Sequence, residues 1–364
     1  QDLIQPRIGF NWTINADVSL RGGIGLYSGG NPNVWMSNNF SNDGSRIAQL
    51  NNKYMEWGCG YGEGYSLFDV PLNGGGNPIY DIPQCLYDAI AEQEPNSGVN
   101  ALDPDFELPE AWKYNLGTTW RFGDGFVMNA DLLYTKTNNS AIVRNFSMVQ
   151  SGYAPDGRQI YRGSSGSPFG DDLVLGNVKG SDAEQFQFSI NLSKNHLNGW
   201  DWSVGYAYTD SKDVSPMTSS VAASNFNNFS TDDPNNPKLA PSNYDVPHRF
   251  TFRVGYEAYW WKENRTRFTL VGSTNEGRPF SYTFAGYNGW NDLAFGDPQE
   301  FRQLLYVPTG IDDPLVIFDS GFDTEAFFDF VSTSGLEKYS GRIAPRNAFN
   351  SDWWTWFDLR FEQE

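Results

Sequence analysis

The sequence predicts an all-β fold, namely part of an antiparallel up-and-down transmembrane β-barrel. Three observations indicate this fold. Apolar residues recur at every second position in nine segments, the links between these segments are alternately short and long, and acidic residues gather in the long links. A period of two is typical of strands, because successive side chains of a pleated chain point to opposite faces. No run of about 18 apolar residues is present, so no membrane-spanning helix is expected.

Each predicted strand has large apolar residues in one phase and polar or small residues in the other. Residues 248–273, HRFTFRVGYEAYWWKENRTRFTLVGS, contain two such runs separated by a short charged turn, as in an antiparallel hairpin. A soluble sandwich would place the apolar face in its core, whereas a membrane barrel would turn it to lipid. The nine predicted strands lie near 8–14, 18–26, 112–122, 126–134, 186–192, 202–208, 250–260, 268–270 and 357–361.

The links favour the membrane barrel over the sandwich. Short and long links alternate along the chain, so in a meander all short links fall on one side and all long links on the other. Outer-membrane barrels have this arrangement, with short periplasmic turns and long extracellular loops. The short links lie near 15–17, 123–125, 195–199 and 262–264, and the long links at about 29–108, 149–171, 215–245 and 285–351.

Charge and aromatic content agree with an envelope protein. The 364 residues carry a formal net charge of -19, and 16% of them are aromatic. The links 29–108, 285–352 and 215–245 carry net charges of -9, -7 and -2, which leaves the strands close to neutral. Aromatic residues gather at strand ends, as in WDW and WWTW, which is typical of a membrane interface. An acidic exterior argues against nucleic acid as a partner, because it would repel phosphates.

Six segments, in their order and spacing, resemble the TonB-dependent outer-membrane receptors, and within them the Oar-like (OmpA-related) group. They are NPNVWMSNNFSNDG (31–44), DPDFELPEAWKYNLGTTWRF (103–122), FVMNADLLYTKTNNS (126–140), SNYDVPHRFTFRVGY (242–256), NEGRPFSYTF (275–284) and GRIAPRNAFNSDWWTWFDLRFEQE (341–364). The resemblance implies a barrel of about 22 strands, occluded by an N-terminal plug and driven by the TonB-ExbB-ExbD complex. Residues 1–364 are then expected to be a barrel-domain fragment of about nine strands, with the plug, the TonB box and the N-terminal domain absent.

Charged residues of the predicted strands fall on the polar phase. A charged side chain on the lipid phase would cost about 2–4 kcal/mol near the midplane, so these residues are predicted to face the lumen. Two roles remain open: pairing with the plug to guide its release, or forming a solvated wall with ion pairs worth about 0–1 kcal/mol each. The predicted lumen- or plug-facing residues are Arg7, Arg21, Lys113, Arg121, Asp131, Arg249, Arg253, Glu257, Arg267, Asp358 and Arg360.

The long acidic links are the predicted ligand-capture surface. Their aromatic side chains offer flat faces for stacking on a sugar or an aromatic chelator. Asp232-Asp233 and Asp312-Asp313 offer oxygen ligands to Ca²⁺. No complete Ca²⁺-loop motif is present, so a solvated surface is the favoured interpretation, and no other cofactor is expected. The candidate ligand residues are Trp35, Tyr54, Trp57, Tyr61, Tyr65 and Tyr80.

Cys59 and Cys85 both lie in a Gly/Asn-rich stretch of the first long link. A disulfide is the favoured interpretation in an envelope location, and two unrelated thiols are the alternative. A metal site is not expected, because the two histidines, His196 and His248, are distant in sequence from the cysteines. No enzyme activity is expected, because Asp245 and His248 are accompanied by no nucleophile motif such as G-x-S-x-G.

The sequence therefore predicts an outer-membrane receptor that imports a large nutrient such as an oligosaccharide, a peptide or a siderophore. Its expected partners are its own plug, the TonB complex, membrane lipid and a small or medium-sized ligand. Two other classes remain open. One is an Oar-like barrel for adhesion or protein export, and the other is a soluble secreted carbohydrate-binding β-protein, which would need no detergent.

Overall fold

One large antiparallel sheet, which we call the wall, organises the chain. The computed structural model describes residues 3–28, 33–41, 43, 84–92, 98–163, 172–180, 182–196, 198–261, 263–284 and 302–364. Nine wall strands lie side by side in the order of the chain, and every neighbouring pair is antiparallel. They are β1 (Arg7–Thr13), β2 (Val18–Ser28), β3 (Glu110–Phe122), β4 (Phe126–Asn138), β5 (Glu184–Asn195), β6 (Trp200–Asp213), β7 (His248–Trp261), β8 (Asn264–Asn275) and β9 (Trp354–Gln363).

All nine predicted strands are confirmed, and so are the four short turns between them. In the first turn Asn15 Oδ1 accepts hydrogen bonds from the backbone N–H groups of Asp17 and Val18, both at 2.9 Å. In the second turn Gly123 and Gly125 both have positive φ angles, of 52° and 85°, which glycine adopts at no steric cost. Within the described residues β1 and β9 are not paired with each other, so the wall is an open sheet.

The apolar phase of the wall is exposed to the surroundings and does not form a core. Leu359 is 71% exposed in β9, and a soluble sandwich would bury such a side chain. The apolar rings also contact one another across strands on this face, as Phe188 and Tyr206 do. An exposed apolar face of this extent is typical of a surface that meets a partner or a membrane. Its large exposed members include Ile8, Phe10, Trp12, Tyr114, Leu116, Trp120, Leu132, Phe186, Val204, Phe250, Val254, Leu270, Phe357 and Phe361.

The hydrophobic cores lie in the long links instead. We call the described link residues 33–41, 84–92, 98–109, 139–183, 214–247, 276–284 and 302–353 the cap, noting that 164–171 and 181 lie outside the described residues. One core packs a small sheet of Asn100–Leu102, Ala141–Asn145 and Leu173–Asn177 against the helix α3 (Ala222–Asn227) and the helix α1 (Asn33–Ser41). The buried members of this core are Ala141, Val143, Leu173, Leu175, Ala222 and Phe226.

A second core forms near the end of the chain. The helix α4 (Thr324–Thr333) and the 3₁₀ turn Leu336–Tyr339 pack on the paired segments Tyr306–Val307 and Arg342–Ile343. The buried members of this core are Val307, Val331, Leu336, Ala344 and Phe349. The remaining cap elements are the helix α2 (Gln84–Glu92), the hairpin of Met148–Tyr153 and Gln159–Gly163, the pair Pro279–Phe280 and Phe349–Asn350, and Ala240–Pro241, which pairs with β6.

The link predicted at about 149–171 is longer in the structure than the sequence suggested. It begins after Asn138 and ends before Glu184. Asn139 adopts a positive φ of 57°, a conformation in which asparagine is enriched. The chain therefore leaves the wall at this residue, and the next alternating segment, Ala141–Asn145, joins the cap.

Candidate ligand-capture cap and charged wall face

The strand register places the predicted charged wall residues on the face opposite to the apolar one. Arg21 and Asp131 form an ion pair at 2.5 Å across the strand that separates them. Gly117 stands between them in the register. A β-carbon at this position would overlap Asp131 Oδ1 and lie 2.9 Å from Arg21 Nε. The glycine therefore makes room for an ion pair that spans three strands.

A second charged group lies on β6, β7 and β8. The Asp201 carboxylate pairs with Arg253 and, at 2.8 Å, with Arg267. Arg267 also pairs with Glu257 at 3.1 Å. Gly255 again leaves the space, because a β-carbon there would collide with the Asp201 carboxylate. These four residues form one network along the polar face, and Arg265 and Glu364 extend it.

Asp201 is the centre of this network, and the sequence analysis did not single it out. Its signal was present, since it shares the polar phase with the predicted residues. The flanking Trp200 and Trp202 carry the stronger signal in this segment, because tryptophans at a strand end are typical of a membrane interface. Parity along one strand assigns a face, but only the register across strands shows which charges meet.

The other predicted wall charges lie on the same face. The Arg7 guanidinium lies 4.2 Å from the centre of the Tyr27 ring, and Lys113 Nζ lies 5.5 Å from it. Arg360 forms an ion pair with Glu362. The register assigns Arg121, Arg249 and Asp358 to this face as well.

The ion pair of Arg21 and Asp131 is half-exposed and contributes little to stability, whereas Asp201 and Arg267 are more buried, at 15% and 24% exposed. The side chains of Arg21 and Asp131 are 41% and 46% exposed, and exposed pairs are worth about 0–1 kcal/mol. A continuous polar face of this kind is compatible with water on that side of the wall. That the face contacts a plug stays a prediction.

In the cap, Trp35 lies in α1 and contacts a neighbouring link. Its Nε1 donates a hydrogen bond to the main-chain oxygen of Ser219 at 2.9 Å, and its ring packs against the first core. This placement holds α1 on the cap, and stacking of Trp35 on a ligand stays a prediction. The candidates Tyr54, Trp57, Tyr61, Tyr65 and Tyr80, together with Cys59 and the side chain of Cys85, lie outside the described residues.

The paired acids that offer oxygen ligands to Ca²⁺ take part in loop turns. Asp233 Oδ1 accepts hydrogen bonds from the Tyr161 hydroxyl at 2.8 Å and from the Asn235 N–H at 3.0 Å. Asp313 accepts from the N–H groups of Thr309 and Leu315 at 2.7 and 2.9 Å. These two donors hold the pKa of Asp313 below its usual value. Across the described ranges, no group of three or more His, Cys, Asp or Glu side chains is placed to hold a metal ion.

Arginine side chains, of which Arg302 is buried and Arg144 partly buried, connect separate links of the cap. Arg302 is 1% exposed and donates to the main-chain oxygen of Phe226 at 2.7 Å. Arg144 donates to the main-chain oxygens of Asn235 and Asn177 at 3.0 and 3.1 Å. Burial lowers the pKa of Arg144, and Asp103 acts against this shift. These cross-links were not predicted, because they join residues far apart in sequence.

His248 lies at the cap end of β7, among aromatic rings. The Tyr206 hydroxyl and His248 Nδ1 are 2.8 Å apart, and the His248 ring stacks on Trp353. The environment of His248 is thus that of an aromatic belt residue.

The nearby Asp245 has a shifted pKa. Burial, and then the charges of Asp210 and Glu276, raise the pKa of Asp245 to about 6.

A groove of about 550 Å³ runs along the exposed apolar face, where Phe10, Tyr114 and Leu132 line it. Because this face carries the apolar phase, the groove lies on the lipid side of the wall. It is therefore not considered a ligand site. In the part of the chain that the structure describes, no helix has the length and apolar character needed to span a membrane.

Comparison with protein families decides the class of this chain. The model of the "Outer membrane beta barrel domain" family matches residues 1–359. The chain belongs to this family. Its place in the outer membrane follows, and it agrees with the exposed apolar face of the wall. The comparison with curated proteins found no match.

Two outer-membrane transporters are among the solved structures to which this chain is similar. The outer membrane transporter YddB from Escherichia coli is 12% identical with a TM-score of 0.43, and the match covers 83% of this chain and 32% of that one. The FrpB iron transporter from Neisseria meningitidis (F3-3 variant) is 10% identical with a TM-score of 0.35, covering 75% of this chain and 27% of that one. The chain thus spans about a third of the length of these solved structures.

Proposed function

We propose that this chain belongs to a TonB-dependent receptor of the Oar-like group, which imports a large nutrient across the outer membrane. The observation that carries the proposal is the cap. Long links that fold around two cores and are connected by arginine side chains provide a pre-formed capture surface on one side of a membrane wall. Loops positioned by a rigid scaffold commonly carry binding sites. Oligosaccharides, peptides and siderophores are the ligand classes considered.

The polar face of the wall is proposed to contact a plug contributed by another part of the protein. The network of Asp201, Arg253 and Arg267 holds charges that a plug surface can bind and release. Because exposed ion pairs are worth only about 0–1 kcal/mol, such contacts exchange readily. The TonB-ExbB-ExbD complex would drive the release. The proposed activity is transport, with no enzymatic step and no cofactor.

A growth experiment tests this function. Strains that lack the gene, lack tonB or lack both are grown on a panel of oligosaccharides, peptides and iron sources. The proposal predicts a growth defect of the gene deletion on at least one source, and the same defect in the double mutant. Normal growth of the gene deletion on every source would contradict uptake. If it also lost surface attachment or a secreted protein, adhesion or export would replace the proposal.

A further inference from the structure

A cavity of about 390 Å³ in the cap differs in charge from the acidic links around it. Its volume falls within the range of about 300–1,000 Å³ that is usual for small-molecule sites. Three cationic and two acidic side chains line it. They are Lys238, Arg342, Arg346, Asp156 and Asp232.

Most of these charges are already paired. Lys238 pairs with Asp232, and Asp156 pairs with the buried Arg158 at 2.7 Å. Arg346 pairs with Asp213 at 2.8 Å. The cavity lining therefore has one cation in excess.

Arg342 supplies this excess charge and is accessible. It donates to the main-chain oxygen of Lys338 at 2.6 Å and lies over the Tyr339 ring at 5.2 Å. Among the described residues it forms no ion pair with a carboxylate, and its side chain is exposed. Its guanidinium is thus available to a ligand.

Arg346 forms a buried part of the lining with unsatisfied donors. Its side chain is only 5% exposed, and among the residues that the structure describes its Nε and Nη1 have no hydrogen-bond acceptor. A buried N–H group without an acceptor costs roughly 1–3 kcal/mol, and more when the group is charged. These donors reach an acceptor in the cavity when the Arg346 side chain, which belongs to the lining, turns toward it.

We propose that this cavity binds a carboxylate group of the imported ligand. A planar guanidinium donates two parallel hydrogen bonds to a carboxylate. One excess positive charge balances the single negative charge of a carboxylate, whereas a doubly charged phosphate would leave one negative charge unbalanced beside Asp156 and Asp232. This inference rests on the proposed capture function, and it selects acidic sugars and acidic peptides among the ligand classes.

The cavity is connected directly to the wall. Besides the Asp213 carboxylate, the Arg346 guanidinium contacts the main-chain oxygens of Asp213 and Ala240. Asp213 is the last residue of β6, and Ala240 pairs with it. A ligand bound at Arg346 therefore lies one side chain away from the rim of the barrel.

Saturation-transfer NMR on the protein in detergent micelles tests the proposal. The probes are D-glucuronate, D-glucose as the neutral counterpart, and inorganic phosphate. We expect glucuronate to bind about 10-fold or more tightly than glucose, and more tightly than phosphate at neutral pH. Equal binding of the two sugars, or tighter binding of phosphate, would overturn the carboxylate assignment.

Variants locate the binding. Arg342→Gln removes the excess charge, and Arg346→Lys keeps the charge but removes the unsatisfied donors. Each should raise the Kd for glucuronate by about 10-fold. Arg278→Gln is the matched control, because Arg278 is an exposed cap arginine outside the cavity lining, and it should leave the Kd unchanged.

Unchanged glucuronate binding in both cavity variants would mean that the cavity holds only water, and would overturn the proposal. If Arg346→Lys does not fold, Arg342→Gln alone decides the outcome. The measurement needs neither the plug nor TonB. If glucuronate does not bind, the growth defect is still expected from the proposed uptake. If the growth defect is absent, glucuronate binding is still expected from the cavity.

Discussion

The wall and the cap place their apolar side chains in opposite ways. In the wall, Leu359 and its neighbours on the apolar phase are exposed, whereas in the cap Phe226 and Leu336 are at most 1% exposed. The arginine side chains of the two parts also differ in their partners. Wall arginines pair with carboxylates on the polar face, whereas the cap arginines Arg144 and Arg302 donate to main-chain oxygens. One chain thus contains a part that needs lipid and a part that folds as soluble domains do.

The difference shows what each part depends on. The wall is stabilised by backbone pairing and by lipid around its apolar face. The cap is stabilised by close packing of a few buried residues. Substitutions that are harmless in one part should therefore be harmful in the other.

The largest expected effect comes from the cap core. Phe226→Ala removes a ring from the core that also contains Val143 and Leu173, and such a truncation costs about 3–5 kcal/mol. Hydrogen exchange should become much faster in Ala141–Asn145 and Leu173–Asn177, with the wall unchanged. Phe146→Ala is the control, since Phe146 is 66% exposed. Equal protection in the two variants would contradict a packed cap.

A charge on the exposed face of the wall should have the next largest effect. Leu116→Arg places a cation toward lipid at a cost of about 2–4 kcal/mol. Asn115→Arg places the same cation on the opposite, polar face one residue away, and should cost much less. Urea titrations of folding into lipid vesicles measure both. A larger loss for Asn115→Arg would reverse the assignment of faces.

Asp245 should make the cap sensitive to pH. The pKa of Asp245 in the fold is raised to about 6. The contribution of the neutral carboxyl to the free energy of unfolding is therefore fully present below about pH 4 and is lost as the pH rises through 6. Asp245→Asn should therefore stabilise the cap by roughly 1–3 kcal/mol at pH 7.5 and have little effect at pH 4. Thermal unfolding at the two pH values measures this. An equal gain in stability at pH 7.5 and at pH 4 would refute a raised pKa.

The smallest expected effect is at Gly117. Gly117→Ala would displace the Arg21–Asp131 ion pair and cost at most about 1 kcal/mol, because the pair is half-exposed. Gly9→Ala is the control, since a β-carbon there meets only the Gly22 main-chain oxygen at 3.4 Å. In a variant that already carries Asp131→Asn, adding Gly117→Ala should cause no further loss in the free energy of unfolding. A full additional loss there would mean that the ion pair is not what the glycine accommodates.

The sequence was sufficient for the wall because the wall pattern is local. Each strand carries its own alternation, and the turns at Asn15 and Gly125 lie beside the strands that they join. The cap could not be predicted in this way. Its cores bring Phe226 to Val143 and Leu173, whose sequence separations follow no period. The chain leaves the wall at Asn139, and the polarity pattern of the sequence does not change at this residue.

The candidate site was predicted in part. Strand parity assigned the charged residues to one face, but it did not reveal Asp201 as the centre of a network or Gly117 and Gly255 as spacers. The sequence did not predict the cavity of Arg342 and Arg346, since an arginine in a long link is expected to be solvated. Pairing and burial across the fold determine these features.

The central claim is that the apolar phase of the wall meets lipid and the polar phase meets water. Single spin labels along β5, from Gln185 to Ser193, measure this directly through collision rates with oxygen and with a water-soluble nickel complex. The account predicts oxygen maxima at Phe186, Phe188, Ile190 and Leu192, alternating with nickel maxima at Gln187, Ser189 and Asn191. Equal nickel access at every position, or the opposite phase, would contradict it.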